Sequence, residues 1–386
     1  MSAGLALPLP GRAADGVRVG LFLAAFFAAG AILTAYLPLW MADRGLTAGA
    51  IGEVLGLSSL ARVVGGPAVG WAADRLARQR LMLFTAAACA AVCAAGLQAA
   101  GLAGVAVLII AGGLAGSALT PLADALSLAL AGAGRLDYGR TRAWGSVSYM
   151  VASAGAGALL GRVGSWVVPW LLAGAYGTAA ALAVGLPVAE PPRMGTPVVA
   201  RLPASFGWTL LASALIQGSH AAYYGFATLH WRASGIPDAV IGLLIAEGIV
   251  AEVALFVWGR RLVERLGPAG LTALAACGCI ARWTVTALTT ALPVLLGMQV
   301  LHAATFACQH LSSMLVLRTL PAGRAGVAQT VLAAIGFSAP TGVLMWVSGQ
   351  IFGQAGAHVF LLMAAVGGSA LLAAPFLPGG ARRRSS

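Results

Sequence analysis

Nine ionisable side chains sit inside stretches that are otherwise apolar: Glu53, Arg62, Asp124, His220, Glu247, Glu252, Arg282, His302 and His310. A charged group at the centre of a lipid-embedded helix costs about 2.5–3.5 kcal/mol on insertion scales, so such residues face a bundle interior and mark ion or substrate paths. Two kinds of chemistry are open to this set. The carboxylates and imidazoles can take up and release a proton, and the arginines can pair with an anion or an acid of another span. Asp124 stands on a stripe of Ser117, Thr120, Asp124 and Ser127 at helical spacing, which predicts one wet helix face. Gln217, His220 and Tyr224 follow at i, i+3 and i+7 and put an amide, an imidazole and a phenol on one face, suited to an amphipathic ligand. The competing reading of His220 is an internally hydrogen-bonded core histidine. No nucleophile stands at a base or metal spacing such as H-E-x-x-H, so no enzyme and no cofactor is expected.

These residues need helices that cross a membrane. Of the 386 residues, 60% are apolar and 9% charged, and no single soluble core could bury that share. The net charge of +12 comes from arginines set singly between apolar runs, without the dense basic stripe of a nucleic-acid face, and no nucleic-acid partner is expected. The five cysteines, Cys89, Cys93, Cys277, Cys279 and Cys308, lie in apolar runs at no ligand spacing and read as packing residues. At roughly 20 residues per crossing the chain divides into twelve spans. They cover 18–39, 49–71, 81–99, 104–131, 143–162, 165–186, 207–230, 239–260, 269–288, 291–317, 326–349 and 355–377. The first is read as a retained span, because no small-residue cleavage pattern follows a short apolar run.

Arginine placement orients the spans, since cytoplasmic loops accumulate positive charge. With the N-terminus inside, eighteen arginines fall on the cytoplasmic side, including Arg140 and Arg142, and Arg44, Arg162 and Arg232 fall outside. Both termini are therefore expected in the cytoplasm. The proline-rich stretch 187–206 divides the chain into six-span halves, 1–186 and 207–386. A shift of 190 residues supports the division, pairing Gly45 with Gly235, Gly52 with Gly242, and Asp74-Arg75-Leu76 with Glu264-Arg265-Leu266. The same shift pairs Arg62 with Glu252. Either Glu252 exchanges arginine for a proton as the halves rock, or the two form a permanent ion pair that holds one state.

The loop Gly70-Trp-Ala-Ala-Asp74-Arg75-Leu-Ala-Arg78-Gln-Arg80 resembles the G-x-L-A-D-R-x-G-R-R loop of the major facilitator superfamily, with Ala77 in place of the second glycine. An acid there can cap a neighbouring helix and pair with arginines, so Gly70, Asp74, Arg75 and Arg78 are expected to form a conformational latch. Further blocks resemble the phenylpropionic acid permease group, relatives of the lactose permease: Pro121-Leu-Ala-Asp124, Asp137-Tyr-Gly-Arg140-Thr-Arg142-Ala-Trp144-Gly-Ser, Gln217-Gly-Ser-His220-Ala-Ala-Tyr223-Tyr224, Val250-Ala-Glu252, Arg282-Trp283 and Leu301-His302-Ala-Ala-Thr-Phe306. The resemblance implies an all-α polytopic fold of two pseudo-symmetric six-helix bundles. It also implies proton-coupled uptake of a small aromatic carboxylate such as phenylpropionate. Arg282, His302 and Glu252 look like the arginine, histidine and acid of the lactose permease. The acid found there one turn beyond the histidine is replaced by Thr305 and Phe306, which leaves proton transfer to Glu252, Asp124 or a histidine. Arg282 is expected to receive the substrate carboxylate, with Arg62 as the alternative. The expected partners are a small molecule, protons and the lipid bilayer, the expected setting the bacterial inner membrane, and the expected state a monomer. The rival readings are a proton-coupled efflux antiporter, a nucleoside or sugar permease, and a membrane sensor that transports nothing.

Overall fold

The computed structural model describes residues 10–76, 78–188 and 203–380. Among them there is no strand, and the helices string together into twelve rods. The rods of the N-terminal half are α1 (Pro10–Asp43), α2 (Ala48–Leu76), α3 (Gln79–Gly96), α4 (Leu102–Gly116, resumed as Leu119–Gly132), α5 (Tyr138–Val163) and α6 (Val168–Val184). Those of the C-terminal half are α7 (Ala204–Gly218, ending in Thr228–Ala233), α8 (Asp238–Trp258), α9 (Arg260–Leu288), α10 (Leu292–Val300, resumed as Gln309–Leu317), α11 (Ala322–Val331, resumed as Ala339–Ala355) and α12 (Val359–Gly368). Nine segments among the described residues are long and apolar enough to cross a membrane, one of them running through both α11 and α12. Large apolar side chains on the outer faces, such as Val64, Val92 and Trp258, are exposed as lipid-facing residues must be.

Two repeated features support the 190-residue shift. The turns after α1 and α7 have the same hydrogen bonds: Gly45 N–H donates to Ala42 O and Leu46 N–H to Met41 O, while Gly235 N–H donates to Arg232 O and Ile236 N–H to Trp231 O. Both glycines hold the left-handed conformation this helix ending needs, φ 86° and 83°. Gly52 and Gly242 mark equivalent crossings of the halves. A Cβ on Gly52 would stand 2.7 Å from the Gly349 Cα on α11, and one on Gly242 would stand 3.1 Å from the Ala154 Cα on α5. The backbones of α2 and α11, and of α8 and α5, therefore run in contact at the end of the molecule that carries Asp43, Arg44 and Arg232.

The structure moves one boundary that matters. Residues 138–142 are helical, not loop, because the Asp137 carboxylate accepts from Arg140 N–H at 2.8 Å and caps α5. Arg140 and Arg142 thus belong to a rod. The expected span at 269–288 is preceded by a further helical stretch, Arg260–Leu266, joined across Gly267 (φ 59°) and Pro268. Helix α7 begins at Ala204, so only part of 187–206 is linker, and 189–202 lie outside the described residues. The backbone of Gly70, Asp74 and Arg75 runs within α2, and their side chains lie outside the described ones; Arg78 is exposed at the start of α3 with no side-chain cap. All five cysteines are free.

Candidate transport cavity

A cavity of about 600 Å³ lies between the halves, with walls from α1, α2, α3, α4, α5 and α6 on one side and α7, α8, α10 and α11 on the other. Its second wall is made where helices lose regularity. Rods α7, α10 and α11 each widen into a π-turn, Tyr223–Ala227, Ala303–Cys308 and Leu332–Ser338. These turns place Tyr223, Tyr224, Phe306, Phe337 and Ser338 on the cavity. π-turns interrupt the helical ladder and concentrate at functional sites.

Behind that wall runs a directed chain of hydrogen bonds. Arg282 is fully buried. Its Nη2 donates to Gln299 Oε1 at 2.8 Å, and its Nη1 donates to His302 Nδ1 at 2.9 Å and Thr305 Oγ1 at 3.3 Å. The guanidinium also lies over the Tyr223 and Trp283 rings, 4.5 and 4.7 Å from their centroids. A guanidinium only donates, so His302 Nδ1 must accept and Nε2 must carry the proton. That Nε2 faces Glu252 Oε2 at 3.5 Å, and both side chains line the cavity. The other histidine takes the opposite tautomer. His220 Nδ1 donates to Ile216 O at 2.9 Å, which leaves Nε2 to accept from the Thr305 hydroxyl at 3.1 Å, shorter than that hydroxyl's 3.4 Å approach to His302 O. The polar packing continues down the half, where Gln309 donates to Ser213 and accepts from Thr272.

The expected site residues thus separate into two groups. Glu252, His302, Tyr224 and Arg62 are on the cavity wall. Gln217, His220 and Arg282 stand behind it, buried among α7, α9 and α10, and Tyr224 reaches the wall one turn beyond His220, its ring stacked on the imidazole at 5.8 Å between centroids. Arg282 has its Nη groups satisfied by protein acceptors and does not meet the cavity. Asp124 is one-third exposed and lies 3.8 Å from Arg142 Nε, beside the cavity but not on its wall. Its stripe is only partly wet: Thr120 lines the cavity, whereas Ser127 is buried and bonds back to Ala123 O. Arg62 and Glu252 both line the cavity, and no ion pair joins them among the described residues. Glu247 sits on the face of α8 shared with the exposed Leu243 and Val250, with Oε2 unpartnered.

Arg142, expected in a cytoplasmic loop, stands on α5. It lines the cavity with its guanidinium 4.2 Å from the Phe27 centroid. The Asp137 cap signal placed four residues after an apparent loop start could have found it. Gln299 could have been found from its spacing to His302 and Phe306, i, i+3 and i+7. At the closed end, Arg232 joins the halves, donating to Asp238 Oδ2 at 2.6 Å on its own side and to Asp43 Oδ2 at 2.9 Å on α1. Asp43 also accepts from Ser165.

The sequence matches the MFS_1-like family over residues 17–363. This chain belongs to that family. It is a multi-pass membrane transporter of the major facilitator kind. Over 367 residues the MFS_1-like chain is 30% identical to the "Probable 3-phenylpropionic acid transporter" of Escherichia coli (strain K12), covering 91% of this chain and 94% of that one. It is 29% identical over 267 residues to the maltose permease of Geobacillus stearothermophilus, 67% of each chain. Among solved structures it is similar to the nucleoside transporter NupG, with a TM-score of 0.76 at 16% identity over 94% of this chain and 98% of that one. The inward-open xylose transporter XylE from E. coli matches at a TM-score of 0.72 and 15% identity, over 97% and 98%. At such identity these two speak for the fold.

Proposed function

We propose that the chain takes up a small aromatic monocarboxylate together with a proton by alternating access. The observation that carries this is the meeting of Glu252 and His302 on a cavity wall that also holds Tyr223, Tyr224, Phe306 and Phe337. Glu252 offers a carboxylate that can be neutralised, and the neighbouring rings offer a face for an aromatic solute. With Arg282 holding His302 Nδ1, the protonated Nε2 is the nitrogen left on the Glu252 side, 3.5 Å from Oε2, so the histidine stands next to the proton site. The phenylpropionic acid transporter among the relatives supports the substrate class.

In this reading the structure is the inward-facing state. The end sealed by the glycine crossings and by Arg232 is the outer one, and both termini are cytoplasmic, which is the side that most arginines favour. The six-rod units 1–186 and 207–386 rock about the cavity as a monomer. Protonation of Glu252 and seating of the anion leave the loaded cavity with less unpaired charge, and that permits the outer seams to part and re-form. A monoanion entering with one proton moves no net charge, so the pH gradient alone drives it; each uncompensated charge would add about 2.3 kcal/mol per 100 mV. Sugar transport is a second reading, favoured by the maltose permease relative.

Proteoliposomes loaded at neutral pH and diluted into acid should concentrate radiolabelled 3-phenylpropionate, and an uncoupler should abolish this. Concentration of a sugar or nucleoside in place of the acid would replace the substrate reading. Accumulation driven by the opposite pH gradient would make the protein an efflux antiporter, and binding without movement would make it a sensor.

A further inference from the structure

Of the charged side chains that line the cavity, one has no partner among the described residues. Arg142 is beside Asp124, Glu252 faces His302, and Arg282 donates to three side chains. Arg62, on the cavity wall, has no hydrogen-bond or ion-pair partner among the described residues, and its Nε is buried. The cost of an unpaired guanidinium in a span requires an anion or water to be supplied from the cavity. A second unsatisfied donor lines the same cavity. Tyr176 on α6 has no hydrogen-bond partner for its hydroxyl among the described residues, and Arg62 is its electrostatic neighbour. The hydroxyls nearest along α2 are committed, Ser58 to Ile109 O at 3.3 Å and Ser59 to Ser338 O at 3.1 Å, so neither has a proton left for a ligand. What remains is a guanidinium and a phenol hydroxyl, each with a donor free and no carboxylate paired with either among the described residues.

We propose that Arg62, assisted by the Tyr176 hydroxyl, is the anchor for the substrate carboxylate, while the pseudo-equivalent position of the other half, Glu252, holds the proton. This rests on the aromatic-acid reading above and assigns its anion site. The placement suits a carboxylate joined to a ring by a short chain. Ser59 is three residues before Arg62 and bonds to Ser338, the neighbour of Phe337, whose ring meets Phe306 edge-on at 6.5 Å between centroids. An acid group at Arg62 can therefore reach its ring toward that aromatic pair. Planar two-donor recognition of a carboxylate is the geometry arginine provides and lysine does not.

Equilibrium binding to the purified protein in nanodiscs tests this, with radiolabelled 3-phenylpropionate and its neutral primary amide as the two probes. Wild-type protein should prefer the acid. Arg62→Gln should weaken acid binding about tenfold or more and leave amide binding unchanged, so the preference disappears. Arg62→Lys should restore part of it, and Tyr176→Phe should lose about three- to fivefold. Amide binding equal to wild type shows that the variant is folded. Acid binding unchanged in Arg62→Gln, with wild-type protein binding the acid, would overturn the Arg62 assignment alone. A wild-type protein that binds a sugar and no aromatic acid would remove the aromatic-acid reading and this assignment with it.

Discussion

The N-terminal and C-terminal halves end α1 and α7 in the same turn and make the same glycine crossings, yet they build opposite kinds of wall. The first half meets the cavity with regular helix and presents cations, Arg62 and Arg142. The second meets it through α8 and three π-turns and presents Glu252, His302 and aromatic rings, backed by a buried network around Arg282, Thr305 and Gln309. The two halves share a turn and a crossing and differ in the side chains they present. On the proposed function, the first half takes the anion and the second the proton.

The comparison is broken most severely by removing the proton from the second half. Glu252→Gln should lose concentrative uptake while keeping exchange of labelled for unlabelled substrate, because a neutral amide mimics the loaded state; retained accumulation against a gradient would place the proton elsewhere. Next in size is the contrast between buried and bordering arginines. Arg282→Met leaves Gln299, His302 and Thr305 without their charged donor and should cost about 3 kcal/mol in thermal unfolding. Arg142→Met, at a site one-third exposed, should cost less than about 1 kcal/mol in the same measurement. Equal losses would mean that the halves do not differ in this way. At the shared crossings, Gly52→Ala puts a methyl 2.7 Å from the Gly349 Cα and should open the outer end by about 1–3 kcal/mol. Modification of a cysteine introduced at Ser59 by an impermeant reagent added outside should then accelerate about fivefold or more, and an unchanged rate would show that this seam does not gate access. The smallest effect is expected for Arg232→Gln. Its pairs with Asp43 and Asp238 are partly solvated, so the same labelling should change by a few-fold at most.

Periodicity and charge made the rods legible, because lipid leaves few ways to place an arginine. The 190-residue shift was readable for a related reason: Gly45 and Gly235 occupy a conformation that other residues resist, and Gly52 and Gly242 sit where a side chain would part the halves. The site was read less well. Tyr224 does stack on His220 as the spacing predicts, but Gln217 and His220 are engaged by Phe306 O and the Thr305 hydroxyl of α10, so only Tyr224 reaches the wall; those partners come from another rod and are not legible in the spacing. The charge of Arg282 is visible in sequence and the permease resemblance makes it a ligand-binding cation, while the acceptors that occupy it, Gln299, His302 and Thr305, come from a different rod and only folding brings them together. Arg142 reads as loop because the charged run 135–142 looks continuous, although Asp137 divides it with a cap. Asp74 and Arg75 kept their family resemblance but lie outside the described side chains.

The joint claim, one proton carried with one carboxylate, is tested most directly by recording pH and radiolabel together in lightly buffered proteoliposomes given 3-phenylpropionate. The account predicts alkalinisation outside in step with uptake, about one proton per carboxylate, and no response to an imposed potassium diffusion potential. Uptake without proton movement, or external acidification as substrate enters, would contradict it.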